Sequence, residues 1–120
     1  MGLPRELRLR HRKDFDAVFR QGRAWNDQLL VLRALPNNLD HNRFGFVTSK
    51  RLGGAVVRNR VRRRLREITR LTRTNPGFDV VLSAKTKVTS AEFADVKTSV
   101  IRLLDRAGIR ASDQPEAAGS

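Results

Sequence analysis

Between Ser49 and Arg73 stand ten cationic side chains, Lys50, Arg51, Arg58, Arg60, Arg62, Arg63, Arg64, Arg66, Arg70 and Arg73, with Glu67 as the single acid among them. Nearly all are arginine. A guanidinium is a planar fork that fits phosphate oxygens two at a time, whereas an ammonium is a point charge. A surface network of ion pairs would set acids three or four positions from these cations, and the stretch has almost none. Its charge therefore asks for an external polyanion, the alternative being a solvated basic face. Other chemistry is poorly served. His11 and His41 have no second histidine or carboxylate at ligand spacing. Asp14 and Asp16 are two apart and do not share a helical face, and Asp79, Glu92 and Asp95 are scattered. There is no Walker-type loop or dinucleotide fingerprint. With one Trp and no Tyr, the chain is not a binder that stacks many successive bases.

The cations need an element to hold them. Val57, Val61, Leu65, Ile68 and Leu71 recur at spacings of three and four, the period of one helical face, and fall in a sector of roughly 120°. Arg58, Arg62, Arg66, Arg70 and Arg73 fall opposite. The stretch reads as a helix anchored by one face and presenting guanidinium groups on the other. Gly53-Gly54 breaks the chain just before it. Two glycines let backbone approach a ligand closely, and beside Lys50, Arg51 and a helix N-terminus they form an anion-site candidate.

The 120 residues suffice for one domain with a modest core. Net charge is +13, from 25 basic and 12 acidic residues, an excess that opposes compaction unless an anion neutralises it. Nucleic acid is the expected partner for such a charge, an anionic membrane surface the competing one. No apolar run approaches the ~18 residues of a membrane span. Leu3 to Leu9 is interrupted by Pro4, Arg5, Glu6 and Arg8, which does not suit a secretory signal. Without cysteine, disulfides and thiolate metal sites are excluded. A cytoplasmic protein is expected.

In chain order, residues 1–11 form a basic arm, either folding on binding or a frayed terminus. Residues 12–21 make a short helix with Phe15, Val18 and Phe19 on one face and Gly22 at its end. The two phenylalanines are core residues or, if exposed, RNA-stacking rings. Leu29 to Leu35, closed by Pro36 and Asn37-Asn38, reads as a strand, with a short extra strand at Ala24 to Asn26. Arg43 to Ser49 alternates as a strand, expected to lie antiparallel beside the previous one across the loop 36–42. After the basic helix, Asn75-Pro76-Gly77 leads to a strand at Phe78 to Ala84. Thr89-Ser90-Ala91-Glu92 has capping-box spacing and opens a last helix with Phe93, Val96, Val100, Leu103 or Leu104 and Ala107 inward, closed by Gly108. The fold class is α/β (α+β), a two-layer sandwich in the order α-β-β-(β)-α-β-α around one central mixed sheet. The segment 43–84 is a strand–helix–strand crossover, so its strands are expected to be parallel, with a right-handed connection as the usual case. A single domain spans 1–110, and 111–120 is a polar tail expected to be disordered.

The run Ser49-Lys50-Arg51-Leu52-Gly53-Gly54-Ala55-Val56-Val57-Arg58-Asn59-Arg60-Val61-Arg62-Arg63 resembles the protein subunit of bacterial ribonuclease P. That family carries a Ser-Lys-Lys/Arg…Gly-Asn-Ala-Val-x-Arg-Asn-Arg signature entering a basic helix. Lys13-Asp14-Phe15 through Phe19 and Gly22, Arg43-Phe44-Gly45, and Asp79-Val80-Val81 agree as well. The resemblance implies a left-handed crossover around the basic helix, against the usual hand. It implies a subunit without catalytic side chains, the chemistry belonging to a catalytic RNA assisted by Mg2+. The protein would bind that RNA through Arg58, Asn59, Arg60, Arg62, Arg63 and Arg66. It would hold the 5′ leader of precursor tRNA between this helix and the open sheet face, at Phe15, Phe19, Arg33, Lys50 and Arg51. No membrane or obligate protein partner is implied. Three positions depart from the family pattern: Gly54 where asparagine is usual, Arg33 where an aromatic is frequent, and Arg64 where leucine is common. A guanidinium at Arg33 can still stack on a base, and the Arg64 stem can snorkel outward. The competing readings are a structural RNA-binding protein, marked by co-sedimentation with ribosomal subunits after a high-salt wash, and a free-standing nuclease dependent on Asp14 or Asp79.

Overall fold

The computed structural model describes residues 3–111. Helix α1 (Arg12–Gln21) is followed by strands β1 (Arg23–Asn26), β2 (Leu30–Pro36) and β3 (Arg43–Val47), helix α2 (Ala55–Leu71), strand β4 (Phe78–Ala84) and helix α3 (Phe93–Arg106). Turns of 3₁₀ helix precede α1, α2 and α3, at Arg5–Leu7, Lys50–Leu52 and Thr86–Ser90. This is the expected mixed α+β architecture. The tail expected at 111–120 lies, from residue 112 on, outside the described residues. Among the described residues no helix is long and apolar enough to cross a membrane.

The four strands are ordered β1-β2-β4-β3. β2 is antiparallel to β4, and β3 is parallel to β4, as the crossover predicts. The expectation that β2 and β3 are neighbours is wrong: β4 lies between them. The reason is in β4 itself. Val80, Val81 and Leu82 are all buried, so this strand is apolar on both faces and belongs in the centre. β3, with Arg43 and Gly45, takes the edge.

Register separates two faces. Trp25, Leu32, Leu82 and Phe46 form one row, and Ala34, Val80 and Phe44 the next. This face is closed by α2 and α3 through Val61, Leu65, Ile68, Val96, Val100, Leu103 and Leu104 in one apolar cluster. The opposite face carries Ala24, Arg33, Val81 and Gly45 in one row and Val31, Ser83 and Val47 in another. Among the described residues only α1 and the N-terminal segment pack there, in a small cluster of Leu9, Val18 and Val81 with Phe15, Leu35 and Val47.

Three local expectations change. Residues 3–11 are neither frayed nor free. Leu3 packs into the larger cluster and Leu9 into the smaller, and the Leu9 N–H donates to the Phe44 carbonyl at 2.8 Å. The segment thus wraps the outer edge of β3. On α2, Leu71 is 63% exposed, while Thr69 is buried. A helix of 3.6 residues per turn carries the row Val61–Leu65–Ile68 on to Thr69 and Thr72, and leaves Leu71 on a flank. The capping box does not form. The Thr89 hydroxyl donates to Thr86 O, and Ser90 to Lys87 O, within the 3₁₀ turn, so α3 starts only after Glu92.

Candidate nucleic-acid interface

The basic helix forms where its period predicts, but its arginines divide into two sets. Asn59, Arg60 and Arg63 are exposed, whereas Arg58, Arg62 and Arg66 are half-buried along its flank. Arg62 is held from both sides: Nη1 donates to Thr48 Oγ1 at 2.5 Å, and Nη2 to Asn59 Oδ1. That ties the helix to the end of β3. The Nε atoms of Arg58 and Arg66 are buried with no acceptor among the described residues. Leaving a buried donor unpaired costs about 1–3 kcal/mol, so these guanidiniums are positioned by packing and not by partners.

Several of the described acids are already paired with groups other than the α2 arginines that lack a partner. Asp79, 5% exposed, accepts from Arg43 Nε at 2.8 Å and Nη2 at 2.6 Å, and from Asn37 Nδ2 at 2.9 Å. Arg43 also reaches Asp14 at 3.6 Å. Its hydrogen bonds to Asp79 hold its pKa above the ordinary arginine value. Both acids of the nuclease reading are therefore joined through one arginine, which links α1, β3 and β4. Glu67 pairs with Arg70 at 2.7 Å, and that hydrogen bond lowers the Glu67 pKa. Asp27 accepts from the Leu29 and Leu30 N–H groups and from Ser99 Oγ. Burial pushes its pKa up, but the Ser99, Leu29 and Leu30 hydrogen bonds and Arg102 together bring it below the usual carboxylate value. None of these acids except Glu67 is on α2. Among the described residues, Arg58, Arg60, Arg62, Arg63, Arg64 and Arg66 have no carboxylate in ion-pair reach.

The residues expected at the open face are partly brought together. Phe15 packs against β3: a Cβ at Gly45 would stand 2.5 Å from Cε1 and Cζ of its ring, so glycine is what lets α1 sit this close. Phe15 is half-buried and packs against the smaller cluster. Phe19 is 42% exposed, and the Arg33 guanidinium stacks 4.9 Å from its centroid. Arg33 thus stands as a planar cation beside an exposed ring. Lys50 and Arg51 are exposed in the turn after β3, and neither stands over the Phe15 or Phe19 ring. Gly53 has φ 135°, which favours glycine. Gly54, with φ −73°, is the N-cap of α2 and makes no side-chain cap. Arg64 is half-buried and lines a shallow depression with Arg63, Glu67 and Phe93.

Sequence reasoning missed two features. One is the Arg43–Asp79 pair, which links residues far apart in the chain and leaves no local pattern. The other is the docked N-terminal segment, for which the three leucines Leu3, Leu7 and Leu9 in so short a stretch were an available signal.

A family model described as Ribonuclease P matches residues 3–108. The chain is 44% identical over 110 residues to the ribonuclease P protein component of Roseiflexus castenholzii, covering 89% of this chain and 90% of that protein. It is 40% identical over 102 residues to that of Dehalococcoides mccartyi, covering 85% of each. Among solved structures, the RNase P protein from Thermotoga maritima superposes with a TM-score of 0.77 at 31% identity, covering 82% of this chain and 96% of that one. With its basic helix, acid-poor flank and half-open sheet, the chain belongs to the ribonuclease P protein family.

Proposed function

We propose that the chain is the protein subunit that binds the catalytic RNA of ribonuclease P through α2 and holds the 5′ leader of precursor tRNA on the open sheet face. The observation that carries this reading is the arginine set of α2, unpaired by any carboxylate among the described residues beyond Glu67 with Arg70, next to a sheet face that only α1 and the N-terminal segment cover. Arg58, Asn59, Arg60, Arg62, Arg63 and Arg66 contact the catalytic RNA. Phosphate contacts of this kind carry no sequence information, which suits a subunit serving precursors with different leaders. Phe15, Phe19 and Arg33 supply planar surfaces for unpaired bases, with Lys50 and Arg51 at the rim. The RNA performs the cleavage that makes the mature 5′ end, and the protein reduces repulsion between two polyanions. Mg2+ supports RNA folding and hydrolysis. Among the described residues no three His, Asp or Glu side chains converge on a metal position. The place of action in this reading is the cytoplasm.

The test is precursor-tRNA cleavage at low magnesium with the catalytic RNA of the same source, with and without the protein. Stimulation, with no cleavage by protein alone, is the expected result. No stimulation with an RNA that is active at high magnesium would overturn the reading.

A further inference from the structure

The docked N-terminal segment brings two more arginines to α2. Along the outer edge of β3 runs a groove of about 320 Å3 with Arg8 and Arg10 on one side and Arg62 and Arg66 on the other. Phe15 and Phe46 line it as well. No acid lines it, and among the described residues none of its four guanidiniums is in ion-pair reach of a carboxylate. Arg66 Nε is buried without an acceptor. The segment is fixed by the Leu9–Phe44 hydrogen bond and by burial of Leu3 and Leu9 on opposite sides of the sheet. The protein thus spends apolar contacts to hold like charges together, an arrangement that favours an anion between them.

We infer that this groove is a binding site for the phosphodiester backbone of a single RNA strand, clamped between the N-terminal segment and α2, with Arg8 and Arg10 as phosphate ligands. A strand fits better than a duplex, since the groove has the volume of a small-ligand site. The partly exposed rings of Phe15 and Phe46 line the same groove and offer a base an aromatic surface beside the phosphates. This inference rests on the RNA-binding reading above, but adds a second wall to the site, contributed by a part of the chain outside the signature helix.

The experiment measures binding of a fluorescein-labelled 12-nucleotide single-stranded RNA of mixed sequence to the full chain across a salt series. The double variant Arg8→Ala/Arg10→Ala should make the slope of log K against log salt shallower by about 1.4, the loss of two single-strand phosphate contacts. Lys87→Ala/Lys97→Ala, which removes the same charge from exposed sites on the turn before α3 and on α3, should leave the slope nearly unchanged. Leu9→Ala, which keeps every charge but loosens the segment, should also flatten it at temperatures below melting. Equal flattening by both double variants would overturn the inference in favour of net charge alone. So would competition by polyglutamate as effective as by unlabelled RNA. An unchanged slope in Arg8→Ala/Arg10→Ala, with loss of binding in Arg62→Ala/Arg66→Ala, would overturn the clamp while leaving the function of α2 intact. Failure of that function is read separately, in the cleavage assay.

Discussion

The two faces of the sheet are built on opposite terms. The closed face joins Leu32, Leu82, Val80 and Phe44 to Leu65, Ile68, Val100 and Leu103 in one continuous cluster. Among the described residues, the open face has Leu9, Val18 and Val81 as its buried apolar cluster, and it carries Arg33, Arg43, Asp79 and Ser83 in its rows. Burial at about 25 cal/mol per Å2 of apolar surface therefore concentrates stability on one side. The other side is left free to expose rings and cations without unfolding the protein. The same helix serves both: α2 anchors by Val61, Leu65 and Ile68 and offers its arginines along its flank and outward.

This contrast can be broken by substitutions that move stability and RNA affinity separately. The largest effect is expected for Leu82→Ala on the closed face. Deleting a fully buried leucine costs about 2–5 kcal/mol, read as a lower urea midpoint, while RNA affinity of the folded fraction stays unchanged. Next is Arg43→Ala, which leaves the Asp79 carboxylate buried with Asn37 as its remaining side-chain partner. Breaking a fully buried pair costs about 3–5 kcal/mol, and the cost here should be nearer 2 kcal/mol, since the Arg43 side chain is 25% exposed. Chemical denaturation measures it. A nuclease role for Asp79 would appear instead as lost cleavage at unchanged stability.

Phe15→Ala sharpens the comparison from the open side. Stacking of a base on an aromatic ring is worth about 1–3 kcal/mol, so leader affinity should fall by that amount while affinity for the catalytic RNA is retained. If leader affinity holds and only the melting temperature drops, Phe15 is core and the open face is less open than drawn. A smaller effect concerns Asp27, whose folded pKa lies below its unfolded value. Its contribution is present above the unfolded carboxylate pKa of about 3.9 and is lost as pH falls through the lower folded value. Asp27→Asn should therefore flatten the acid limb of the stability–pH profile below about pH 4, and leave RNA binding at neutral pH alone. The smallest change is Gly54→Asn. A Cβ there meets nothing within 4 Å, and asparagine caps a helix better than glycine by a few tenths of a kcal/mol. A slightly raised melting temperature is expected.

Much of this was legible from the residues. The period of Val57, Val61, Leu65 and Ile68 defined α2, and the apolar runs defined β2 and β4, because helical and strand periods are local properties. Strand order was not legible, since alternation says which face a residue takes but not which strand lies beside it. Nor were the Arg33–Phe19 stack and the Arg43–Asp79 pair, whose members are distant in the chain. The division of the α2 arginines into an outward and a flanking set was also hidden. It depends on β3 standing beside the helix, which no helical wheel contains.

The central place of β4 has a consequence for the order in which the molecule can assemble. The pairs Leu32–Leu82 and Phe46–Leu82 join β2 and β3 to a segment that is synthesised after the basic helix. Until that segment is available β2 and β3 have no common neighbour, and α2 has no completed sheet beneath it. Its guanidinium groups exist as a charged, self-repelling chain before they exist as a surface. Closure of the sheet over long sequence separations, a slow kind of folding event, is thus the step that turns a basic peptide into a shaped one.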